Sequence, residues 1–327
     1  MKVLICPLNW GLGHATRCIP IIRKYVHDGH QVTLVADGYP SQLLQYEFPS
    51  LKLLSLPSYP IRYSAKNSQV MTLLRQLPQL VISVFKEHKW LSNLLKTETF
   101  DLVISDNRFG LWTRKTECIY ITHQLMIKMP CQLKMLEPIA WWLHRQIINK
   151  YTHCWIPDYE HNGNLSGDLA HKYRLPTNAS FIGPQSRFEN HNLDNMDKRF
   201  EIVAIISGIE PQRTLFQDQL VKRFENSMQK VLLICGTPSE NQEIKKINNI
   251  TRVSHLPDKE FIKYLLGAEK IIARSGYSTI MDLHALNCLT KAEFIPTPGQ
   301  TEQEYLYKYH FVNKTNIMNT DIDCRNI

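Results

Sequence analysis

Short apolar runs alternate with longer stretches of helical periodicity along this 327-residue chain, and the alternation begins twice. Lys2–Cys6, Gln31–Ala36, Leu51–Leu56, Leu102–Ser105 and Ile119–Thr122 read as strands, short and rich in apolar residues. Ala15–His27 and residues 68–97 read as helices between them. In the second helix Val70, Leu73, Leu74, Leu77, Leu80, Val81 and Val84 recur at spacings of three and four, and Pro78 is expected to kink or break it. The pattern restarts with strands at Ile202–Ile206, Val231–Ile234, Val253–His255, Lys270–Ala273 and Ala292–Ile295. Helices are expected after Pro211, over Asp258–Leu266 and over Tyr277–Leu286. Alternation of this kind implies parallel sheets, because parallel neighbours need a crossover. The expected fold is α/β, with two doubly wound, Rossmann-like domains. They cover residues 1–183 and 201–327, joined by a polar linker at 184–200 that carries three Asn.

No stretch reaches the roughly 18 apolar residues of a membrane-spanning helix. The first residues enter a strand pattern without the apolar region of a secretory signal, so a cytoplasmic protein is expected. Cys6, Cys18, Cys118, Cys131, Cys154, Cys235, Cys288 and Cys324 contain no Cys-x-x-Cys pair, and are expected to be reduced, buried thiols. The net charge of +8 lies in one half of the chain. Residues 1–180 hold 20 Lys and Arg against 12 Asp and Glu, whereas residues 181–327 hold 18 of each. An anionic partner for the first half is one reading and a merely basic surface the other. The basic half lacks a recognition-helix or zinc-finger signature, so nucleic acid is not an expected partner.

Three loops fall at the carboxyl ends of second-half strands, where open α/β sheets bind ligands. Arg274-Ser275-Gly276-Tyr277-Ser278-Thr279 joins a strand to a helix start. The free N–H groups and dipole of a helix start attract phosphate. Gly276 allows close approach, Ser275, Ser278 and Thr279 offer hydroxyls, and Arg274 offers a charge. Taken alone, the segment reads first as an ordinary helix cap. Its companions change that reading. Ser207-Gly208-Ile209-Glu210-Pro211-Gln212-Arg213 brings a second helix start and Arg213 to the same edge. Pro296-Thr297-Pro298-Gly299-Gln300-Thr301-Glu302-Gln303 brings Gln300, Glu302 and Gln303, whose side chains can bond sugar hydroxyls.

In the first half, Asn9-Trp10-Gly11-Leu12-Gly13-His14-Ala15-Thr16-Arg17 joins the first strand to the first helix. It fails as a dinucleotide fingerprint, because the third glycine is replaced by Thr16. As an acceptor loop, Gly11 and Gly13 clear space, Arg17 follows, and His14 stands at a helix start with a side chain suited to general-base work. Asp106 and His123, each just past a strand, are alternative partners for His14. Asp106 reads equally as a turn residue and His123 as a hydrogen-bonded histidine under the cleft.

Gly11-Leu12-Gly13-His14, Arg274–Thr279 and Pro298–Gln303 resemble glycosyltransferase family 28, in outline over both domains. The family includes the lipid-linked N-acetylglucosaminyltransferase of peptidoglycan synthesis. The resemblance implies a GT-B fold, two Rossmann-like domains facing a central cleft, with acceptor bound by the first and nucleotide-sugar donor by the second. It implies diphosphate binding by Ser275, Gly276, Ser278 and Thr279, sugar contacts from Glu302 and Gln303, and His14 as a candidate base. The chain departs from the pattern in its shorter glycine run and in Tyr277, which replaces a small residue.

The expected reaction is an inverting transfer of a hexose or N-acetylhexosamine from a nucleoside-diphosphate sugar, with uridine as the family expectation. The sugar nucleotide is a substrate; no cofactor and no required metal are expected. Residues 81–91 and 139–148 mix apolar and basic side chains. Their apolar faces are expected to pack inward. The second reading is a helix pair lying on anionic lipid, with a lipid-linked acceptor at the inner face of the cytoplasmic membrane. A nucleotide-sugar hydrolase or epimerase, and a non-catalytic sensor, are the competing functions.

Overall fold

The computed structural model describes residues 1–59, 69–189, 196–238 and 242–312. The first sheet contains β1 Lys2–Pro7, β2 Gln31–Ala36, β3 Lys52–Ser55, β4 Leu102–Asp106, β5 Glu117–Ile121, β6 His153–Ile156 and β7 Ala179–Phe181. Its order is β3-β2-β1-β4-β5-β6-β7, and every pairing is parallel. Alternate residues of β1 feed opposite faces, as the two-residue period of a strand requires. Val3 and Ile5 pack with helices α1 (Gly13–His27) and α2 (Gly38–Glu47); Leu4 and Cys6 pack with α3 (Gln69–Thr97) and α4 (Glu137–Ile148). Val3, Leu4 and Ile5 each contribute about 1.5–3 kcal/mol when fully buried.

After the short α5 (Asp168–His171), the second sheet contains β8 Ile202–Ile205, β9 Val231–Ile234, β10 Ile244–Ile247, β11 Ile250–Val253, β12 Lys270–Ala273 and β13 Ala292–Phe294. Its order is β10-β11-β9-β8-β12-β13, parallel throughout except for the β10–β11 hairpin. Helices α6 (Gln212–Phe224), α7 (Asp258–Gly267), α8 (Tyr277–Ala285) and α9 (Thr301–Tyr307) complete the domain.

Several expectations change. Helix α3 runs through Pro78 without a break. Pro78 is exposed, so water is available to the carbonyl that its ring leaves without an N–H partner. Strand β11 covers Ile250–Val253, so it starts three residues earlier than expected and ends two earlier, because Ile250 pairs with Val231 of β9. Strands β6, β7 and β10 have no clear apolar signature; β10 is an edge strand exposed along its length. Within the expected polar linker, Ser186, Arg187 and Phe188 are buried. Ser186 Oγ donates to Asp282 at 2.7 Å, Arg187 pairs with Asp258 at 3.2 Å, and Phe188 joins the second core with Leu165 and Leu169. Their polarity is matched by acids on α7 and α8 that no local pattern reveals.

The two domains are in contact. Tyr305 of α9 accepts the Asp168 N–H at 2.6 Å, and His310 donates to the Leu165 carbonyl at 2.7 Å. Cys6, Cys18, Cys118, Cys154, Cys235 and Cys288 are buried free thiols, whereas Cys131 is exposed. Cys324 and the remaining residues after 312 lie outside the described residues. Among the described residues no helix is long and apolar enough to cross a membrane.

Candidate active site

Each sheet reverses its winding at one point, and ligand crevices of open α/β sheets form there. In the first sheet the reversal lies between β1 and β4, whose last residues, Pro7 and Asp106, are paired in register. In the second it lies between β8 and β12. The loops leaving these strands meet. Gly11, at φ +92°, faces the Gly208 backbone at 3.8–3.9 Å from where its Cβ would be. A side chain at Gly11 is strained by that φ alone. Ser278 Oγ donates to the Gly13 carbonyl at 2.8 Å, joining the starts of α8 and α1.

The first-domain side of this junction is a cluster of charged and titratable groups. His14 and Arg17 stand three residues apart on the first turns of α1 and so share a face. Asp106 ends β4, and Asn107 then turns the chain through a left-handed φ of 57°, a conformation that Asn tolerates. Asp106 is wholly buried and meets both residues of α1. Arg17 Nε donates to its Oδ2 at 2.5 Å and Nη2 to its Oδ1, while His14 Nδ1 lies 2.8 Å from Oδ1. Burial pushes the Asp106 carboxyl up, but Arg17 and then His14 outweigh it and hold it well below the usual carboxylate range. Burial, reinforced by the Arg17 charge and opposed by Asp106, lowers the His14 pKa. His14 is therefore neutral at pH 7.

With its proton on Nδ1, His14 donates to Asp106 and keeps the Nε2 lone pair to take a proton. The resulting imidazolium is stabilised by the Asp106 carboxylate. His14 Nδ1 is also 2.8 Å from Arg17 Nη2, the geometry of the other tautomer. His123 is placed differently. Arg17 Nη1 lies 2.9 Å from its Nδ1, and Glu302 Oε1 lies 2.8 Å from its Nε2. Of the two candidate partners, Asp106 touches His14, whereas His123 reaches the group through Arg17.

The second-domain side is built mainly from backbone. Gly276 caps α8, and a Cβ placed there would meet nothing within 4 Å, so the helix start is open. Thr279 is half-buried on the first turn, and Gln300 is half-buried before α9. Arg274 is turned inward. Its guanidinium lies 4.0 Å over the Phe216 ring and donates to the carbonyls of Ile295 and Pro296, and burial brings its pKa down to about 10. It therefore holds the loop after β13 rather than standing at the helix start. Ser275, wholly buried, donates to the Gln303 carbonyl at 2.8 Å. Gln303 accepts the Thr297 N–H at 2.8 Å, bracing its own loop. Arg213 pairs with Glu210 and donates to the Cys235 carbonyl at 3.1 Å, so its charge is already partnered.

Tyr277 is not a loop ligand either. It is buried, its hydroxyl donates to the Pro157 carbonyl at 2.6 Å, and its ring stacks on His123 at 4.1 Å and 3°. Its bulk fills space between the domains where a small residue would leave a gap. Among the described residues no group of three or more His, Cys, Asp or Glu is arranged to hold a metal ion. The Asp-x-Asp spacing at Asp321 and Asp323 lies outside them.

No protein-family model matches the chain. A curated relative from Methanosarcina mazei, named an uncharacterized glycosyltransferase, is 24% identical over 93% of this chain and 82% of its own. Among solved structures, UGT73P12 of Glycyrrhiza uralensis, complexed with glycyrrhetinic acid 3-O-monoglucuronide, has a TM-score of 0.57 at 12% identity, covering 94% of this chain and 79% of its own. UGT89C1 of Arabidopsis thaliana, complexed with UDP-L-rhamnose, has a TM-score of 0.51 at 12% identity, covering 94% and 82%. These likenesses show the fold: two Rossmann-like domains in the GT-B arrangement.

Proposed function

We propose that this chain is a glycosyltransferase that moves a hexose or N-acetylhexosamine from a nucleoside-diphosphate sugar to an acceptor hydroxyl, with inversion. The observation that carries the reading is the His14–Asp106 pair at the first domain's switch point, beside the open start of α8 and Glu302. The M. mazei relative's name agrees with it. His14 Nε2 takes the acceptor proton, the acceptor oxygen bonds to the anomeric carbon, and the bond from that carbon to the phosphate oxygen breaks. Its electron pair leaves with the nucleoside diphosphate. The N–H groups at the start of α8 face that leaving charge, so stabilisation comes from backbone dipoles. We assign uridine as the base and family 28 as the group, on the resemblance of Gly11–His14, Arg274–Thr279 and Pro298–Gln303. No metal enters this scheme.

The acceptor we propose is lipid-linked and met at the inner face of the cytoplasmic membrane. Its support is the outer surface of α3 and α4. Leu91 and Ile148 pack inward as expected, but on α3 Phe85 is 70% exposed with Val81 and Ile82 also exposed, and on α4 Trp142 is 54% exposed with Ile139 and Leu143 also exposed. Lys86, Lys89 and Lys134 are exposed nearby, giving the mixture that anionic bilayers attract.

A thermal-shift screen across nucleoside diphosphates and their sugar conjugates tests the donor. A ligand at 100 times its dissociation constant adds about 2.7 kcal/mol of stability, so the matching nucleotide raises the melting temperature visibly. A flat response to the whole panel overturns the reading. Release of free sugar at full rate without any acceptor identifies a hydrolase instead.

A further inference from the structure

Resting on the transferase reading, we infer that His123 is not a second base but a positioning residue that sets donor-sugar selectivity by orienting Glu302. The hydrogen-bond roles follow from donor chemistry. A guanidinium has no acceptor, so Arg17 Nη1, 2.9 Å from His123 Nδ1, donates and that nitrogen accepts. The imidazole proton is then on Nε2, which donates to Glu302 Oε1 at 2.8 Å. The ring is held in this orientation by its parallel stack on Tyr277, itself anchored to the Pro157 carbonyl. Both ring nitrogens are occupied and the residue is buried, so it presents no lone pair to an acceptor hydroxyl.

Glu302 complements this arrangement. It lies on the first turn of α9, next to Thr301, whose hydroxyl donates to the Lys128 carbonyl at 2.7 Å and pins the helix start to the first domain. Its side chain is 31% exposed. One oxygen is fixed by His123, and among the described residues Oε2 makes no hydrogen bond. A carboxylate held at one oxygen presents the other in a defined direction, which distinguishes a sugar hydroxyl on one side of the ring from its epimer. Losing the fixing bond lets the carboxylate rotate and accept either.

Two substitutions separate the ring nitrogens. His123→Gln places an amide N–H near Nε2 and keeps the bond to Glu302. His123→Asn places an amide oxygen near Nδ1 and keeps only the bond from Arg17. Isothermal titration of wild type and both variants with UDP, GDP and dTDP, and with their glucose and galactose conjugates, gives the nucleotide affinity and the gain contributed by each sugar. The expected result is nucleotide affinity within about threefold in all three proteins, a wild-type preference between the two epimers, and loss of that preference by about tenfold in His123→Asn and Glu302→Gln but not in His123→Gln. The double variant His123→Asn/Glu302→Gln then loses no more than either single one. Equal preference loss in both His123 variants, or none in either, overturns the role of His123. Binding of no nucleotide by wild type overturns the donor-site reading itself, and this inference with it.

Discussion

The two sides of the cleft are built on opposite principles. On the first-domain side, Asp106, Arg17 and His14 bond to one another, and Arg17 extends the set to His123. On the second-domain side, Arg274, Ser275 and Gln303 are tied to backbone groups, and the open feature is the start of α8. The difference matches the two tasks of the proposed reaction. Proton transfer needs coupled titratable groups, whereas holding a diphosphate needs rigid N–H donors and space. Glu302 is the point where the two sides bond through side chains that titrate, and burial, outweighed by His123, leaves it ionised below its ordinary pKa.

The comparison breaks most sharply at Asp106. Replacing it with Ala leaves Arg17 charged and unpaired in the interior, which costs roughly 3–5 kcal/mol. Chemical denaturation reads that loss. Removing a carboxylate from the second-domain side, such as Glu293, which pairs with the exposed Arg223 and Lys270, costs about 1 kcal/mol or less. If the two substitutions cost the same, the first-domain cluster is not the tightly coupled unit described here.

The backbone side is tested by Gly276→Val. Folding tolerates a side chain there because its Cβ meets nothing within 4 Å, but the branch covers the helix start. Nucleotide affinity is expected to fall by about tenfold, comparable with the loss of an anion from a helix N-terminus, while the melting temperature stays close to wild type. Unchanged affinity places the phosphates elsewhere.

Acid separates the sides by sign. His14 has a folded pKa below its unfolded value of about 6.5, so below that pH the unfolded chain binds the extra proton and stability falls. Asp106, also depressed, loses its contribution as pH falls through its folded pKa. Asp282 of α8 is the reverse. Burial, resisted by Arg187 and Ser186, raises it to about 6. Between about 3.9 and 6 the folded chain binds the proton, so Asp282 adds stability as pH falls. Asp282→Asn is expected to lose stability more steeply than wild type between pH 7 and 4. Parallel curves contradict the assignment.

The smallest effect concerns the outer surface. Phe85→Ser with Trp142→Ser is expected to change stability by no more than about 0.5 kcal/mol each, because both side chains face solvent. Co-sedimentation with anionic vesicles is expected to drop. Equal recovery of wild type and variant with lipid removes the support for a membrane-bound acceptor.

The fold was readable because its strands are continuous apolar runs, as parallel strands buried on both faces must be. Lys2–Pro7 and Val231–Ile234 needed no tertiary information. Strands β6, β7 and β10 carry little sequence signature because they are short or at an edge, where burial leaves little pattern. For the site, position was legible and direction was not. Loops after strands marked His14, Asp106 and Gly276, but nothing local shows that Arg274 points inward over Phe216 or that Tyr277 stacks on His123. Arg17 is legible as a loop residue; its i,i+3 spacing from His14 is the signal that the two share a helix face. The outward apolar residues of α3 were hidden by their helical spacing, which gives the period of a face but not what the face meets.

The division of labour is tested most directly by measuring nucleoside diphosphate release from the matched donor and acceptor, for wild type and His14→Ala, across donor concentrations. The expected result is turnover lower by roughly 10²–10⁴-fold with the half-saturating donor concentration within about threefold of wild type. Near-normal turnover by His14→Ala contradicts the account, since the proton would then leave by a route that does not use the His14–Asp106 pair.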